Sequence, residues 1–346
     1  MVEDKIEKLS NVFGIAGRED EVRDLMKKYL EPYVDEVRVD NLGNVIGIKR
    51  GEKQFPKVML AAHMDEVGLL IKSISKEGFL RFAKIGGIDD RILLAHKVIV
   101  YTKKGAIQGI IGSKPPHLQK KEERKKAISH EKLFIDVGAE NKREAEEMGV
   151  RIGDPVGFDI KFAKTRKDTL IGKAFDDRAG CAVMLEAVKR LKDNNCTVCA
   201  VGTVQEEVGV RGATTAAFGI RPEVGIAIDT TVAGGVPGVK EVETPIEMRK
   251  GPSITVADRG LITHPKVLRL LIDVAEDNKI PHQMETGLLG STDASRISIS
   301  REGVPSGVIS IPTRYIHSPV AMLSLKDVKN AVKLTVAAIQ KIPEYF

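Results

Sequence analysis

The sequence predicts an α/β protein in which one α/β domain is interrupted by an inserted β domain. Three observations lead there. Strand-like apolar runs alternate with helical stretches over the second half of the chain. One buried-strand run of the same kind, KVMLAA at 57–62, stands apart near the N-terminus. Asp176, which opens the next such unit, lies 111 residues after Asp65, far beyond what a crossover needs, and the intervening chain is mostly short strand-like runs such as HKVIVYTKKGAIQGIIG. The expected organisation is a discontinuous α/β domain of residues 1–67 and 166–346 around an inserted β domain of residues 68–165.

Val22, Leu25, Met26, Tyr29 and Leu30 recur at i, i+3, i+4, i+7 and i+8, which predicts an amphipathic helix over 18–30 that stops near Pro32. Two short strands, 37–39 and 44–48, flank the turn Asp40-Asn41-Leu42-Gly43, and the buried strand 57–62 follows. Beyond the insert come a helix over 179–191, a strand over 197–204, a short helix over 213–218 and a strand over 224–228. A helix over 265–279 and a strand over 304–311 complete the alternation, and Ser324-Leu325-Lys326-Asp327 has the form of a capping start for a C-terminal helix. Within the insert, 113–133 (SKPPHLQKKEERKKAISHEKL) is a dense charge run that reads as a solvated loop.

Bulk composition narrows the function. At 346 residues with 42% hydrophobic content the chain can bury a sizeable core. The net charge of +6 is spread among mixed signs, and with 10 Phe, 5 Tyr and no Trp there is little for base stacking, so no nucleic-acid partner is expected. The opening MVEDKIEKLS lacks the apolar core of a secretory signal and no later run reaches the length of a membrane span, so the reading is cytoplasmic, with no membrane partner. Cys181, Cys196 and Cys199 do not make a disulfide framework. A charged fraction of 29% suits the surface ion pairs of a thermophile.

Four clusters of acids and imidazoles fall at the ends of apolar runs: His63-Met64-Asp65, Asp176-Asp177, Glu206-Glu207 and Asp229. A fifth, Tyr315-Ile316-His317-Ser318-Pro319, follows the strand 304–311 after a short link. Taken singly, each reads as a cap, a turn or a surface pair. Taken together, at the sheet edge where α/β sites assemble, they fit a centre of two divalent ions. Zinc takes about three protein ligands and keeps a position open. His63, Asp176, Glu207, Asp229 and His317 give three to each ion if one carboxylate bridges. Adjacent side chains on an extended segment point opposite ways, so Glu207 is expected on the metal and Glu206 in the cleft, as general base on a metal-activated water. Asp65 is expected to hold the N–H of the His63 ring, a supporting catalytic role. Asp89-Asp90-Arg91 repeats the acidic triplet inside the insert, before Ile-Leu-Leu rather than a small-residue helix start, and reads as structural.

AAHMDEVG (61–68), GKAFDDRAG (172–180), QEEVGVRGA (205–213), AIDTT (227–231), GSTDAS (290–295) and YIHSP (315–319) together resemble the M42 family of metalloaminopeptidases, the tetrahedral TET aminopeptidases, over nearly the whole chain. The resemblance implies an open mixed-sheet, zinc-exopeptidase-like catalytic domain with an inserted PDZ-like dimerisation domain. It implies two divalent metal ions per subunit, zinc or cobalt, although two imidazoles and three carboxylates also suit manganese. By motif position Asp176 would bridge and would be joined to Asp177 by a cis peptide. His63 and Asp229 would hold one ion, Glu207 and His317 the other, and Glu206 would be the base. Ser291, Thr292 and Asp293 would line the substrate pocket. Peptide substrates and homodimers assembled into a hollow tetrahedral homo-oligomer are the implied partners. In such a particle the 113–133 loop, with Lys114, His117, Lys120, Lys121, Arg124, Lys125 and Lys126, has a functional alternative: reaching a neighbouring subunit's site and favouring acidic peptides.

Two rival readings remain. A glycoside hydrolase, such as an endoglucanase, needs two carboxylates across a sugar, and the absence of Trp argues against it. A non-catalytic particle scaffold stabilised by metal would keep the ligands and have no use for Glu206.

Overall fold

The computed structural model describes residues 1–121, 125–165, 168–192, 194–287 and 290–346. The chain opens with helices α1 (Val2–Asn11) and α2 (Asp20–Leu30), the hairpin β1 (Glu36–Val39) and β2 (Val45–Lys49), and the buried strand β3 (Lys57–His63). The hairpin turn is pinned by Asp40, whose Oδ1 accepts the N–H groups of Leu42, Gly43 and Asn44 at 3.0 Å. In α1 the buried Val2, Ile6 and Leu9 recur at helical spacing, and the buried Lys5 is paired with Glu186 at 2.7 Å. The charge alternation of this opening segment therefore belongs to an amphipathic helix packed on the core.

Six strands then close a barrel: β4 (Gly68–Ile74), β5 (Leu80–Ile85), β6 (Lys97–Thr102), β7 (Gly105–Gly112), β8 (Phe134–Asp136) and β9 (Pro155–Phe158), with helix α3 (Lys142–Met148) between the last two. Alternate inward residues such as Leu69, Ile71, Val98, Val100 and Val156 form a core separate from that of the large sheet. The Asp89-Asp90-Arg91 triplet sits in a short turn after β5, where Asp90 accepts from Lys84 at 2.7 Å and from the His130 N–H at 2.9 Å. The expected loop 113–133 carries single-turn helices at Pro116–Leu118 and His130–Lys132. Arg124 lies outside the described residues.

The chain rejoins the large sheet at β10 (Ala163–Lys164), which pairs with β11 (Thr169–Gly172). Helix α4 (Phe175–Arg190), β12 (Thr197–Thr203), α5 (Arg211–Ile220), β13 (Val224–Val232), β14 (Ser253–Ala257), α6 (Pro265–Asp277), β15 (Gln283–Thr286), α7 (Asp293–Ser298), β16 (Ser306–Arg314), β17 (Ala321–Ser324) and α8 (Leu325–Lys341) follow. Among the described residues the sheet has 11 strands, in the order β1-β2-β12-β3-β13-β16-β17-β11-β10, with β14 on β16 and β15 on β14. The neighbours β12, β3, β13 and β16 run parallel, so their C-terminal ends share one edge.

Helix α4 is buried from Phe175 to Val188 apart from Asp176, which is mostly covered, so it is enclosed nearly all round and lacks an amphipathic stripe. It begins four residues before the expected 179. Asp176 (φ −80°, ψ 106°) and Asp177 (φ −120°, ψ 40°) depart from helical backbone, and the peptide between them is cis. Among the described residues no helix is long and apolar enough to cross a membrane.

Candidate metal centre

The parallel register brings the donor residues together before any side chain is considered. His63 ends β3 directly beside Thr203, the last residue of β12, and Glu206 and Glu207 follow within four residues. Asp229 lies toward the end of β13, on the other side of β3. Asp176 enters from the start of α4, and His317 from the link between β16 and β17. Several connecting residues adopt left-handed backbone: Ala174 (φ 55°), Gln205 (φ 56°), Val210 (φ 55°), Tyr315 (φ 63°) and His317 (φ 57°). Such conformations are disfavoured for side chains with a Cβ and gather where loops are held against a site.

Asp176 stands between the two imidazoles. Its Oδ1 lies 3.0 Å from His63 Nε2 and its Oδ2 lies 3.3 Å from His317 Nε2. Asp229 Oδ1 lies 3.9 Å from His63 Nε2, and Glu207 Oε2 lies 3.4 Å from His317 Nε2. Donor atoms of His63, Asp176 and Glu207 lie within 4.8 Å of one another. A second group on the same criterion joins His63 and Asp229 with Asp177. Asp177, however, is already engaged: its Oδ2 accepts the His63 N–H at 3.1 Å and its Oδ1 the Gly180 N–H at 2.9 Å. It anchors the strand end and the helix start to each other.

The ring of His63 is oriented by Asp65, in a way the sequence reading did not foresee. Nδ1 donates to the backbone carbonyl of Asp65 at 3.1 Å, whereas the carboxylate Oδ1 is 3.6 Å away. Because a carbonyl only accepts, Nδ1 carries the proton and Nε2 faces the acids. The Asp65 carboxylate turns instead to the Glu206 N–H (2.9 Å) and the Glu207 N–H (3.0 Å). Its support for the centre is therefore directed chiefly at the glutamate segment.

These groups crowd several acids into a buried space. Burial pushes the Glu207 carboxyl up to about 7, with Asp176 adding in the same direction and His317 opposing. Burial likewise raises Glu206 and Asp229 well above the ordinary carboxylate range. For Asp176 burial is outweighed by the hydrogen bonds to His317 and His63, which hold it below that range. The bond to Asp176 lifts His317 to about 9. Glu207 Oε1 is buried with no hydrogen-bond partner. A divalent cation would answer all of these: it would satisfy the orphaned oxygen, take the place of the Nε2 protons that face Asp176 and neutralise acids that otherwise repel one another. The donor set therefore fits metal binding.

Of the expected pocket residues, Asp293 is buried and its Oδ2 accepts from Thr203 Oγ1 at 2.5 Å, which ties it to the strand pair that carries His63. Burial pushes its carboxyl up to about 6. Thr292 is half-buried at the start of α7, and Ser291 is exposed. Two residues of the barrel also reach the centre without any mark in the sequence. A Cβ on Gly87 would stand 3.0 Å from His317 Nδ1, and one on Gly86 (φ 78°) 3.2 Å from Glu207 Oε2. The loop after β5 packs against both side chains because neither glycine has a side chain of its own.

The profile of the family described as M42 glutamyl aminopeptidase matches residues 43–334. A lysyl aminopeptidase of Pyrococcus furiosus is 40% identical over 332 residues, covering 95% of this chain and 94% of the relative. The structure of a TET aminopeptidase from a marine sediment archaeon, Thaumarchaeota archaeon SCGC AB-539-E09, superposes with a TM-score of 0.96 at 43% identity, covering 100% of this chain and 99% of that one. The TET1 peptidase of Pyrococcus horikoshii, which can assemble into a tetrahedron or a large octahedral shell, superposes at 0.87 with 35% identity, covering 97% and 98%. With fold, motifs and relatives in agreement along almost its full length, the chain belongs to the M42 family of aminopeptidases, hydrolases that act on the N-terminal peptide bond.

Proposed function

We propose that this chain removes N-terminal residues from short peptides at a centre that would hold two divalent cations, zinc or cobalt, with Asp176 as a ligand shared between them. The observation that carries the reading is the division of the Asp176 carboxylate, one oxygen toward His63 and the other toward His317. His63 with Asp229 would hold one cation and Glu207 with His317 the other. Cations held there supply Lewis acidity, which polarises the scissile carbonyl and makes water a competent nucleophile at neutral pH.

The remaining steps belong to the protein's own groups. Glu206 takes the proton of the attacking water and hands it to the leaving amine. The Asp65 carboxylate keeps Glu206 and Glu207 in place through their backbone N–H groups. Without cations, burial and neighbouring acids, including Asp293, raise the proton affinity of Glu206; cations in the centre would lower it again and leave the carboxylate free to take a proton. The same acids offer a counter-charge to a free α-amine, which a blocked N-terminus lacks. Asp293, which is tied to Thr203, would line the pocket for the first side chain together with its chain neighbours Ser291 and Thr292.

The assembly we infer is homo-oligomeric: dimers formed through the barrel, gathered into a tetrahedral particle. Assembly of the Pyrococcus horikoshii relative supports it, as do the exposed apolar side chains of Leu94, Ile110 and Ile152 in the barrel region. Metal analysis after equilibrium dialysis tests the reading of the centre. Two cations per subunit are expected for the parent and fewer for D176N. A single cation per subunit, or none, would contradict it.

A further inference from the structure

Beyond Thr203 the chain leaves the sheet ladder, and the next four backbone N–H groups all find side-chain acceptors. Val204 donates to Asn44 Oδ1 at 3.0 Å, Gln205 to Glu19 Oε1 at 3.0 Å, and Glu206 and Glu207 to the two oxygens of Asp65 at 2.9 and 3.0 Å. The carbonyls are taken from the following turn: Gly212 donates to Val204, Arg211 to Gln205, and Gly209 and Val210 to Glu206. The segment that carries Glu206 and Glu207 is thus suspended from the side chains of three separate parts of the chain. Buried backbone groups need partners, and here the partners fix a position as well as satisfying a donor.

The two acceptors that precede Asp65's pair are themselves locked. Asn44 is fully buried, and its Nδ2 donates to Gly212 O at 3.0 Å and to Thr215 Oγ1 at 3.0 Å. A Cβ on Gly212 would fall 2.3 Å from Asn44 Oδ1, so the close approach of α5 depends on glycine there. Glu19 is buried at the start of α2, and its Oε1 also accepts the Gly17 N–H at 2.8 Å. It holds Gln205 in the left-handed backbone that turns the chain into the centre.

We propose that Glu19 and Asn44 are positioning residues for the reaction, setting the placement of Glu206 and Glu207 through the backbone of Gln205 and Val204. The inference rests on the reading of Glu206 as base and Glu207 as ligand. Without either acceptor, the donor it served would be left unpaired in a buried place, and the segment would move to find water or another partner. A shift of about 1 Å in a catalytic group is enough to cost about 10²-fold in rate.

The test compares E19A, E19Q and N44A with E206Q by steady-state kinetics, and titrates the metal-stripped proteins with Co²⁺ followed by visible absorption. E19A and N44A are expected to lower kcat by about 10 to 10²-fold with KM changed far less, and to weaken the Co²⁺ titration through Glu207. E19Q keeps an acceptor oxygen and recovers most of both losses, which separates positioning from a general loss of folding. The proposal is overturned if E19A matches the parent in kcat and in the Co²⁺ titration, or if E19Q is as impaired as E19A. An active E206Q would sink the reading of the base alone; a weakened Co²⁺ titration in E19A would then still support the suspension acting through Glu207.

Discussion

The carboxylate of Asp65 accepts the backbone N–H of Glu207 at 3.0 Å, with its other oxygen on the N–H of Glu206. One acid thereby pins two adjacent residues whose side chains have different surroundings. Glu207 is buried beside His317, while Glu206 sits among His63, Asp229 and Asp293.

The pair is expected to separate cleanly under substitution. E206Q keeps size and hydrogen bonding but removes the base, so kcat should fall by about 10² to 10⁴ with metal content retained. E207Q should lower metal occupancy instead. Metal analysis alongside kinetics of the two purified variants checks this, and the reverse pattern would exchange their roles.

How far the site could be read in advance depended on the reach of each interaction. Residues at strand ends were legible because alternation and apolar runs mark where β3, β12 and β13 stop, and a parallel sheet brings such ends together. The link from Gln205 to Glu19 spans 186 positions and that from Val204 to Asn44 spans 160, and neither leaves a local pattern. Asp65 was legible as a partner of the centre, but which of its oxygens faces His63 depends on the path of the 205–207 backbone. Helix α1 does carry a local signal, since Val2, Ile6 and Leu9 fall at i, i+4 and i+7 and the charged residues between them occupy the outer face. The barrel's closure depends on pairings between strands, such as Leu69 with Val156, that alternation alone does not choose.

Gly87 gives a test of the contact between barrel and centre. G87A would press a methyl group against His317, whose ring must shift by a few tenths of an ångström because Nδ1 stands only 3.0 Å from the new carbon. The expected result is a loss of affinity for one cation of about 10-fold, in line with other disturbances of ligand support. Calorimetric titration with Zn²⁺ measures it. Two sites of parent affinity would mean that the loop does not brace His317.

The metal-stripped protein should lose stability as pH rises. Glu207 is lifted from 4.5 to about 7, so the folded chain holds a proton there that the unfolded chain has released, and its contribution falls away between about pH 4.5 and 7. His317 is lifted from 6.5 to about 9; its contribution is complete below about pH 6.5 and is lost as pH rises through 9. Both slopes have the same sign. Cations replace those protons, so the loaded protein should show a flatter or opposite trend. Urea unfolding at pH 5, 7 and 9, with and without metal, checks the difference, and a stripped protein that gains stability over that range would contradict it.

The central claim is that this centre cleaves the first peptide bond of a chain with a free amine and needs its cations to do so. The most direct measurement is mass spectrometry of one short peptide and its N-acetylated twin, incubated with the cobalt-loaded and the chelator-stripped protein. Stepwise loss of N-terminal residues from the free peptide alone, and only with metal present, is the expected result. Cleavage of the acetylated peptide, of internal bonds, or at an undiminished rate after stripping would contradict the account.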